Sequence, residues 1–494
     1  MNVLLVLLLA VPLAGALVLL VSPRGWAQHR ALPVGLAATA LTLLDAVALA
    51  VHYARGSRSD VDAAWIPAIG LRFHLGVDGI SLPLVLLTAL LTTLCAAYLL
   101  RSAARPARPQ AFVALLLLLE VGMLGTFVAL DLLLFFVAFE IVLVPMYAVI
   151  AGWGGADRRP SARQFILYTL VGSGVMLVGL VLVGVAAGTL DMVVLAQRGG
   201  AGLSHTVQVV GFLAIAGGLA VKIPVWPLHS WLPDAHTAAP TVGSVLLAGV
   251  LLKMGTYGLV RIAVPILPEG AAAFAPVLGV LGVVGIVYAG LACLGQSNLK
   301  RLVAFSSIGH MGFVLLGIST LTAVGINAAL FANIAHGVIT GLLFFLVGGI
   351  SERYGSTDMG RLGGGLLAAT PRLGALVVFG AVASLGLPGL AGFWGEGLAV
   401  LAAFRPAAEL PGGLYVALAA VAGVGMVLTA AYLLVMLRRV VYGVPRSSVP
   451  MPDMSRAELL TWSPLVAAVL VAGLWPAVVL GVTDGAVRAL LGVR

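Results

Sequence analysis

Residues 211–261 read GFLAIAGGLAVKIPVWPLHSWLPDAHTAAPTVGSVLLAGVLLKMGTYGLVR. Two apolar runs flank a break rich in proline and tryptophan, and each run carries one lysine, Lys222 and Lys253. The chain has three lysines in all, the third being Lys300, while arginine supplies nearly every other cation, mostly in short loops. Arginine keeps its proton in a protein, whereas a lysine in a low-dielectric site can release it. Lysines set inside apolar runs therefore point to proton carriers. The plainer alternative is that each is a paired structural cation.

Working outward, the same apolar texture continues to both ends. Of 494 residues, 61% are hydrophobic and 9% charged, against roughly 25% charged in soluble domains. Runs of about twenty apolar residues recur, each long enough to cross a bilayer core. The fold class is an all-α polytopic membrane protein. Its 62 glycines and 25 prolines suit membrane helices, where they permit close packing and local breaks. The opening MNVLLVLLLAVPLAGALVLLV has no basic n-region and a long apolar run, so it reads as a retained first span, not a signal peptide.

About fourteen spans are expected, near 2–21, 32–52, 80–100, 111–129, 131–152, 164–187, 208–226, 241–263, 272–295, 302–320, 324–349, 372–400, 413–437 and 460–482. Basic residues cluster in alternate loops: Arg24 and Arg30; Arg101, Arg105 and Arg108; Arg158, Arg159 and Arg163; Lys300 and Arg301; Arg353 and Arg361; Arg438, Arg439, Arg446 and Arg456. Basic loops face the cytoplasm, which places both termini on the outer side. The net charge of +9 follows from these loops. No basic face with a nucleic-acid-binding fold is visible, so no nucleic-acid partner is expected and the bilayer is the surrounding phase.

Two spans carry proline breaks. Pro224 and Pro227 interrupt the seventh just after Lys222, and Pro388 interrupts the twelfth eight residues before Glu396. Interrupted helices at corresponding places in two halves point to an inverted repeat with a site at each break; unrelated kinks are the plainer reading. A broken helix frees carbonyls and amides that can bind water or an ion.

Ionisable groups inside spans cost roughly 2.5–3.5 kcal/mol each on insertion scales, and that cost makes them functional candidates. They are Glu120, Glu140, Lys222, Lys253, His310, His336 and Glu396, with Asp45 a weaker one. A carboxylate and a lysine placed together each favour the charged form of the other. Imidazoles such as His310 and His336 take a proton at one nitrogen and yield it at the other near neutral pH; singly, each reads better as a packing residue, and the pair on successive spans between the breaks balances the two readings. Ser306, Ser307 and Asn333 are near in sequence and could hold water. His229 and His236 admit two roles, lining an access path or capping helix ends, and the second is preferred. Glu120 is either a supporting partner or a protonated packing carboxyl.

Only Cys95 and Cys293 are cysteines. They cannot build a disulfide framework, a thiolate zinc site or an iron–sulfur cluster. No carboxylate or histidine spacing suits a metal, and no Gly-rich phosphate loop follows a strand. No cofactor or metal is expected in this chain.

FEIVLVPMY around Glu140, the stretch around Lys222 and Lys253, and LKRLVAFSSIGHMGFVLLGI around His310 resemble the antiporter-like membrane subunits of respiratory complex I. The resemblance runs from LGVDGISLPLVLLTALLT near residue 75 to the last span. It implies a subunit of a proton-translocating NADH–quinone oxidoreductase, in a bacterial-type inner membrane, with no redox site of its own. NADH, FMN, iron–sulfur clusters and quinone are implied in partner subunits, with subunits L and N as neighbours.

It also implies two inverted five-helix repeats with broken helices seven and twelve. The domains would be 1–110 (spans one to three), 111–263 (four to eight), 264–437 (nine to thirteen) and 438–494. Glu140 would pair with Lys222, Lys253 would be the central relay, His310 and His336 would continue the path, and Glu396 would end the second half-channel. Related branches generally carry a lysine in the broken twelfth span and some extend well past the fourteenth; Glu396 and the short tail here depart from both. The alternative is the D-type component of a multisubunit sodium/proton antiporter.

Overall fold

Prolines and capping side chains, more than hydropathy, set where these helices stop. The computed structural model describes residues 3–57, 59–101, 105–444 and 451–492; Arg446 of the basic loops lies outside them. Thirteen helices among the described residues are long and apolar enough to cross a membrane. In order they are Val3–Val21, Gly25–Ala54, Leu82–Arg101, Pro109–Val128, Leu132–Trp153, Arg158–Ala187, His205–Lys222, Thr241–Ile266, Pro268–Leu294, Leu299–Ser319, Ala323–Tyr354, Gly412–Val440 and Arg456–Leu474. Two shorter apolar helices, Pro371–Ser384 and Ala391–Ala403, are the halves of the broken twelfth. Counting them as one span makes fourteen.

Both expected breaks are present. Span seven ends at Lys222, and a short buried helix, Trp231–Ala238, follows the turn. In span twelve, Pro388 lies between the halves and has no N–H to donate to the Ser384 carbonyl four residues back. A third interruption was not foreseen. Span five divides at Val142, into Leu132–Ile141 and Leu143–Trp153. Pro145 leaves the Ile141 carbonyl without its helical donor, one residue past Glu140. Span eight remains continuous but widens into π-helical turns at Leu247–Leu251 and Leu259–Ala263, on either side of Lys253; such turns often accompany functional sites.

One feature lies outside the sequence reading and two expectations need correction. The segment between spans two and three is an antiparallel hairpin, β1 (Ser59–Ile66) and β2 (Leu71–Val77). The last span stops at Leu474, and Pro476 starts a new direction leading into Ala477–Leu490. Lys300 is no ordinary loop cation: it is half-buried in the first turn of span ten, and its Nζ donates to the Ala239 carbonyl just past Trp231–Ala238.

Packing divides the chain into two units: Met1–Ile223 with Val250–Ala275 and Val482–Arg494, and Pro224–Gly249 with Pro276–Gly481. One local construction occurs in each. In the first, span six ends at Gly188 in the left-handed region, and Asp191 caps the next short helix through the Val193 and Val194 amides. The chain there pairs with Asp131, which caps span five. In the second, span eleven ends at left-handed Gly355, Asp358 caps the next short helix, and the chain pairs with Asn298, which caps span ten. The sequences GTLDM at 188–192 and GSTDM at 355–359 match this duplication.

Close helix contact needs glycine at particular points. A Cβ on Gly218 of span seven would run into the Gly172 carbonyl of span six. A Cβ on Gly395 would sit 2.6 Å from the Cα of Ala332 on span eleven.

Candidate functional site

Each unit holds one cluster of buried ionisable groups beside a helix break. In the first unit, Lys222 is the last residue of its helix, where a cation meets the negative end of the helix dipole. It is 2% exposed, and its Nζ lies 4.8 Å from the centre of the Phe139 ring. Neighbouring Glu140 is partly buried, hydrogen-bonds Ser173 of span six and lies within electrostatic range of Lys222. Oε1 of Glu140 and Nζ of Lys222 have no hydrogen-bond partner among the described residues. The pair is therefore coupled through space, with Phe139 beside it, and is not locked into a direct bridge.

Lys253 is fully buried on span eight. Two turns further on, Arg261 grips both oxygens of Asp78 at 2.6 Å and donates to the Tyr257 hydroxyl at 3.1 Å. Tyr257 donates to the Phe127 carbonyl at 2.9 Å. Glu120, fully buried, accepts from Thr92 Oγ1 at 2.5 Å. On span two, Asp45 Oδ2 is buried without a hydrogen-bond partner among the described residues.

In the second unit, the two halves of span twelve both reach His310. Its Nδ1 lies 2.5 Å from Oε1 of Glu396 and its Nε2 3.0 Å from Oγ of Ser384. The His336 ring centre is 5.4 Å from that of His310. These groups line a cavity of about 20 Å³ with Thr340 and Gly392. A water needs about 10–15 Å³ of such space and two or more polar partners, so the cavity has room for a single water beside these groups.

Ser306 donates to the Val303 carbonyl at 2.8 Å and hydrogen-bonds Tyr432 of span thirteen. Ser307 also turns back to Val303. Asn333 is fully buried one turn before His336. His229 meets the edge of the Tyr288 ring and His236 stacks on Phe344, with ring centres 4.8 and 4.7 Å apart. Both are ring contacts within the second unit. No group of three or more histidine, cysteine or carboxylate side chains placed to hold a metal occurs among the described residues.

Sequence reading named Glu140, Lys222, Lys253, His310, His336 and Glu396, and the structure brings Glu140 to Lys222 and His310 to both His336 and Glu396. It missed Ser384, Thr340, Tyr432 and Arg261. The first three are uncharged and give no cost signal; Arg261 sits near a span end, where an arginine is unremarkable.

A family model described as NADH:quinone oxidoreductase/Mrp antiporter, TM, matches residues 129–435, more than half of the chain. The chain belongs to that family. Within it, the chain is 40% identical over 499 residues to NADH-quinone oxidoreductase subunit M of Rhodobacter capsulatus, covering 97% of this chain and 94% of that one. It resembles a chain of respiratory complex I from Thermus thermophilus with bound NADH, with a TM-score of 0.86, 31% identity and 99% and 100% of the two chains covered. It also resembles a chain of the Mrp complex from Dietzia sp. DQ12-45-1b, with a TM-score of 0.85, 25% identity and 99% and 98% covered. The matched region contains five of the eight histidines and all three lysines, including both clusters.

Proposed function

We propose that this chain is the antiporter-like subunit M of a proton-translocating NADH–quinone oxidoreductase, moving protons by way of Glu140, Lys222, Lys253, His310, His336 and Glu396. The observation that carries the reading is the hydrogen-bonded His310–Glu396 pair at the second helix break, matched by the Glu140–Lys222 pair at the first. Family membership and 40% identity to a subunit M support it. Two inverted repeats, 111–263 and 264–437, are part of the proposal, supported by the duplicated capping construction.

The energies are of the right size. Two unit charges about 6 Å apart interact by about 3 kcal/mol at an effective dielectric constant near 20. Moving one charge against 100 mV takes about 2.3 kcal/mol. Separating or hydrating a pair such as Glu140 and Lys222 is enough to drive one proton. Electron transfer would be the work of partner subunits carrying NADH, FMN, iron–sulfur clusters and quinone, with subunits L and N as membrane neighbours. The setting is a bacterial-type inner membrane with both termini outside.

The test is pumping by the assembled complex in vesicles. Removing Lys222 and Glu140 together should lower the protons moved per electron. A full ratio in that variant would overturn the pathway. A second reading, the D-type component of a multisubunit sodium/proton antiporter, draws on the likeness to the Mrp complex. It requires sodium-driven proton movement without NADH, and flavin and cysteine-rich subunits encoded beside this gene would count against it.

A further inference from the structure

The two halves of span twelve offer His310 unlike partners. Glu396 approaches Nδ1 at 2.5 Å and Ser384 approaches Nε2 at 3.0 Å. An ionised carboxylate only accepts hydrogen bonds, whereas a hydroxyl both donates and accepts. With Glu396 ionised, the neutral ring therefore carries its proton on Nδ1, and Nε2 is left as an acceptor. Ser384 donates to it. The Ser384 side chain is 4% exposed and makes no other hydrogen bond among the described residues. Its contact with Nε2 is thus what satisfies a buried hydroxyl.

The break puts that hydroxyl in place. Ser384 is the last residue of Pro371–Ser384. Gly386 then turns the chain at φ +75°, a conformation open to glycine. Beyond the turn, a Cβ on Gly392 would run into the Ala383 carbonyl, so glycine lets the start of Ala391–Ala403 fold back beside the end of the first half. Ser384 and Gly392 share the wall of the cavity of about 20 Å³ with Thr340, His336 and His310. That space has room for one water. Ser384 thus lines a water-sized space and bonds to Nε2 as well.

We propose that Ser384 is the hydroxyl that delivers protons to His310, making Nε2 the entry nitrogen and Nδ1 the exit. The inference rests on the reading of His310 as a proton carrier. In the step, Oγ of Ser384 takes a proton from the cavity water, itself charged by the preceding carrier on the route, and the proton Oγ held moves to Nε2. The hydroxyl is neutral before and after. The water returns to neutral, His310 becomes an imidazolium, and Glu396 stays ionised. Nε2–H then donates to Ser384, whose own O–H turns to the water. Onward transfer from Nδ1 to Oε1 of Glu396 follows the proposed route. Direction comes from the difference between the partners: while Glu396 is ionised, Nδ1 already holds a proton and only Nε2 can take one.

Variants of the assembled complex test this. Ser384→Thr keeps the hydroxyl and adds a methyl; Ser384→Val has the same shape without the hydroxyl. Protons moved per electron should stay at the parent ratio in the first and fall to the His310→Asn level in the second. Equal pumping by the Thr and Val complexes would overturn the relay. A second readout is the infrared spectrum of isotope-labelled histidine, taken as the difference from the His310→Asn complex. It should show a resting neutral ring protonated at Nδ1, with a ring band that shifts in Ser384→Ala, a smaller side chain that packing does not exclude. A ring protonated at Nε2, or a band that Ser384→Ala leaves unmoved, would overturn the proposal; a purely structural serine would lower the melting temperature and leave the band in place. His310→Asn separates the two levels. If it lowers the pumping ratio while Ser384→Val pumps as well as Ser384→Thr, only the role of Ser384 fails; if His310→Asn pumps at the full ratio, the reading of His310 fails.

Discussion

Nδ1 of His310 lies 2.5 Å from Oε1 of Glu396, although 86 residues separate them in sequence. The contact exists because span twelve breaks between Ser384 and Ala391, letting one half offer Ser384 and the other Glu396 to the same imidazole. A continuous helix would carry these two residues three turns apart. Broken, it holds both ring nitrogens of one histidine, the arrangement a two-sided proton carrier needs.

His310→Ala should slow proton transfer by about tenfold or more, equivalent to about 1.4 kcal/mol on the barrier. It removes the group that joins Ser384 to Glu396. The check is proton uptake per electron in vesicles, with NADH oxidation measured on the same sample. Glu396→Gln keeps the shape and removes the titratable charge; a retained ratio would limit Glu396 to positioning His310.

Lys222→Met keeps the buried stem of the side chain and deletes the ammonium. The helix should stay in place, while pumping falls as far as in Glu140→Gln. Combining the two substitutions should add little, since residues acting as one unit are not additive. Losses that multiply would show that the two groups act separately.

The hairpin should be fastened in a pH-dependent way. His74 on β2 binds Asp191 through Nδ1 at 3.0 Å and Asp60 on β1 through Nε2 at 3.1 Å. Its hydrogen bond to Asp191 raises its pKa; burial opposes this, and the charges of Asp191, Asp60 and Asp62 add to it. Burial pushes Asp191 upward, but its bonds to His74 and to the Val193 and Val194 amides outweigh that and leave its pKa lowered. A raised histidine pKa contributes stability that is complete below the ordinary value near 6.5 and lost as pH rises through the raised one. A lowered aspartate pKa contributes stability that is lost as pH falls through it. Exchange protection of residues 71–77 should therefore decline on the alkaline side of the raised His74 value and at acid pH where Asp191 protonates. His74→Gln should flatten the alkaline limb.

Gly395→Ala should disturb the second cluster without touching an ionisable group. The new methyl would meet the backbone of Ala332 at 2.6 Å, and overpacking of this kind costs about 1–3 kcal/mol. A lower melting temperature of the assembled complex, together with reduced pumping, is the expected result. Ala332 lines the same cavity as His310 and Glu396.

What could be read from residues alone was whatever carries a large local cost. Fourteen apolar spans are legible because each must satisfy its own backbone in lipid. Pro224 and Pro388 announce breaks because a ring without N–H cannot continue a helix. Lys222, Lys253, Glu140 and Glu396 stand out because a charge in an apolar run is expensive. Ser384 and Tyr432 carry no such cost, and a hairpin of mixed residues between spans looks like any loop.

The sequence by itself therefore determined the membrane class, the number of spans, the two proline breaks and which ionisable side chains lie inside apolar spans. Tertiary structure decided which of these meet: Glu396 with His310 rather than at a distance, Asp78 with Arg261 across 183 residues, and Lys300 with a helix end rather than solvent. The division has one cause. Burial cost is a property of each residue in its own segment, whereas a hydrogen bond depends on the packing of helices far apart along the chain.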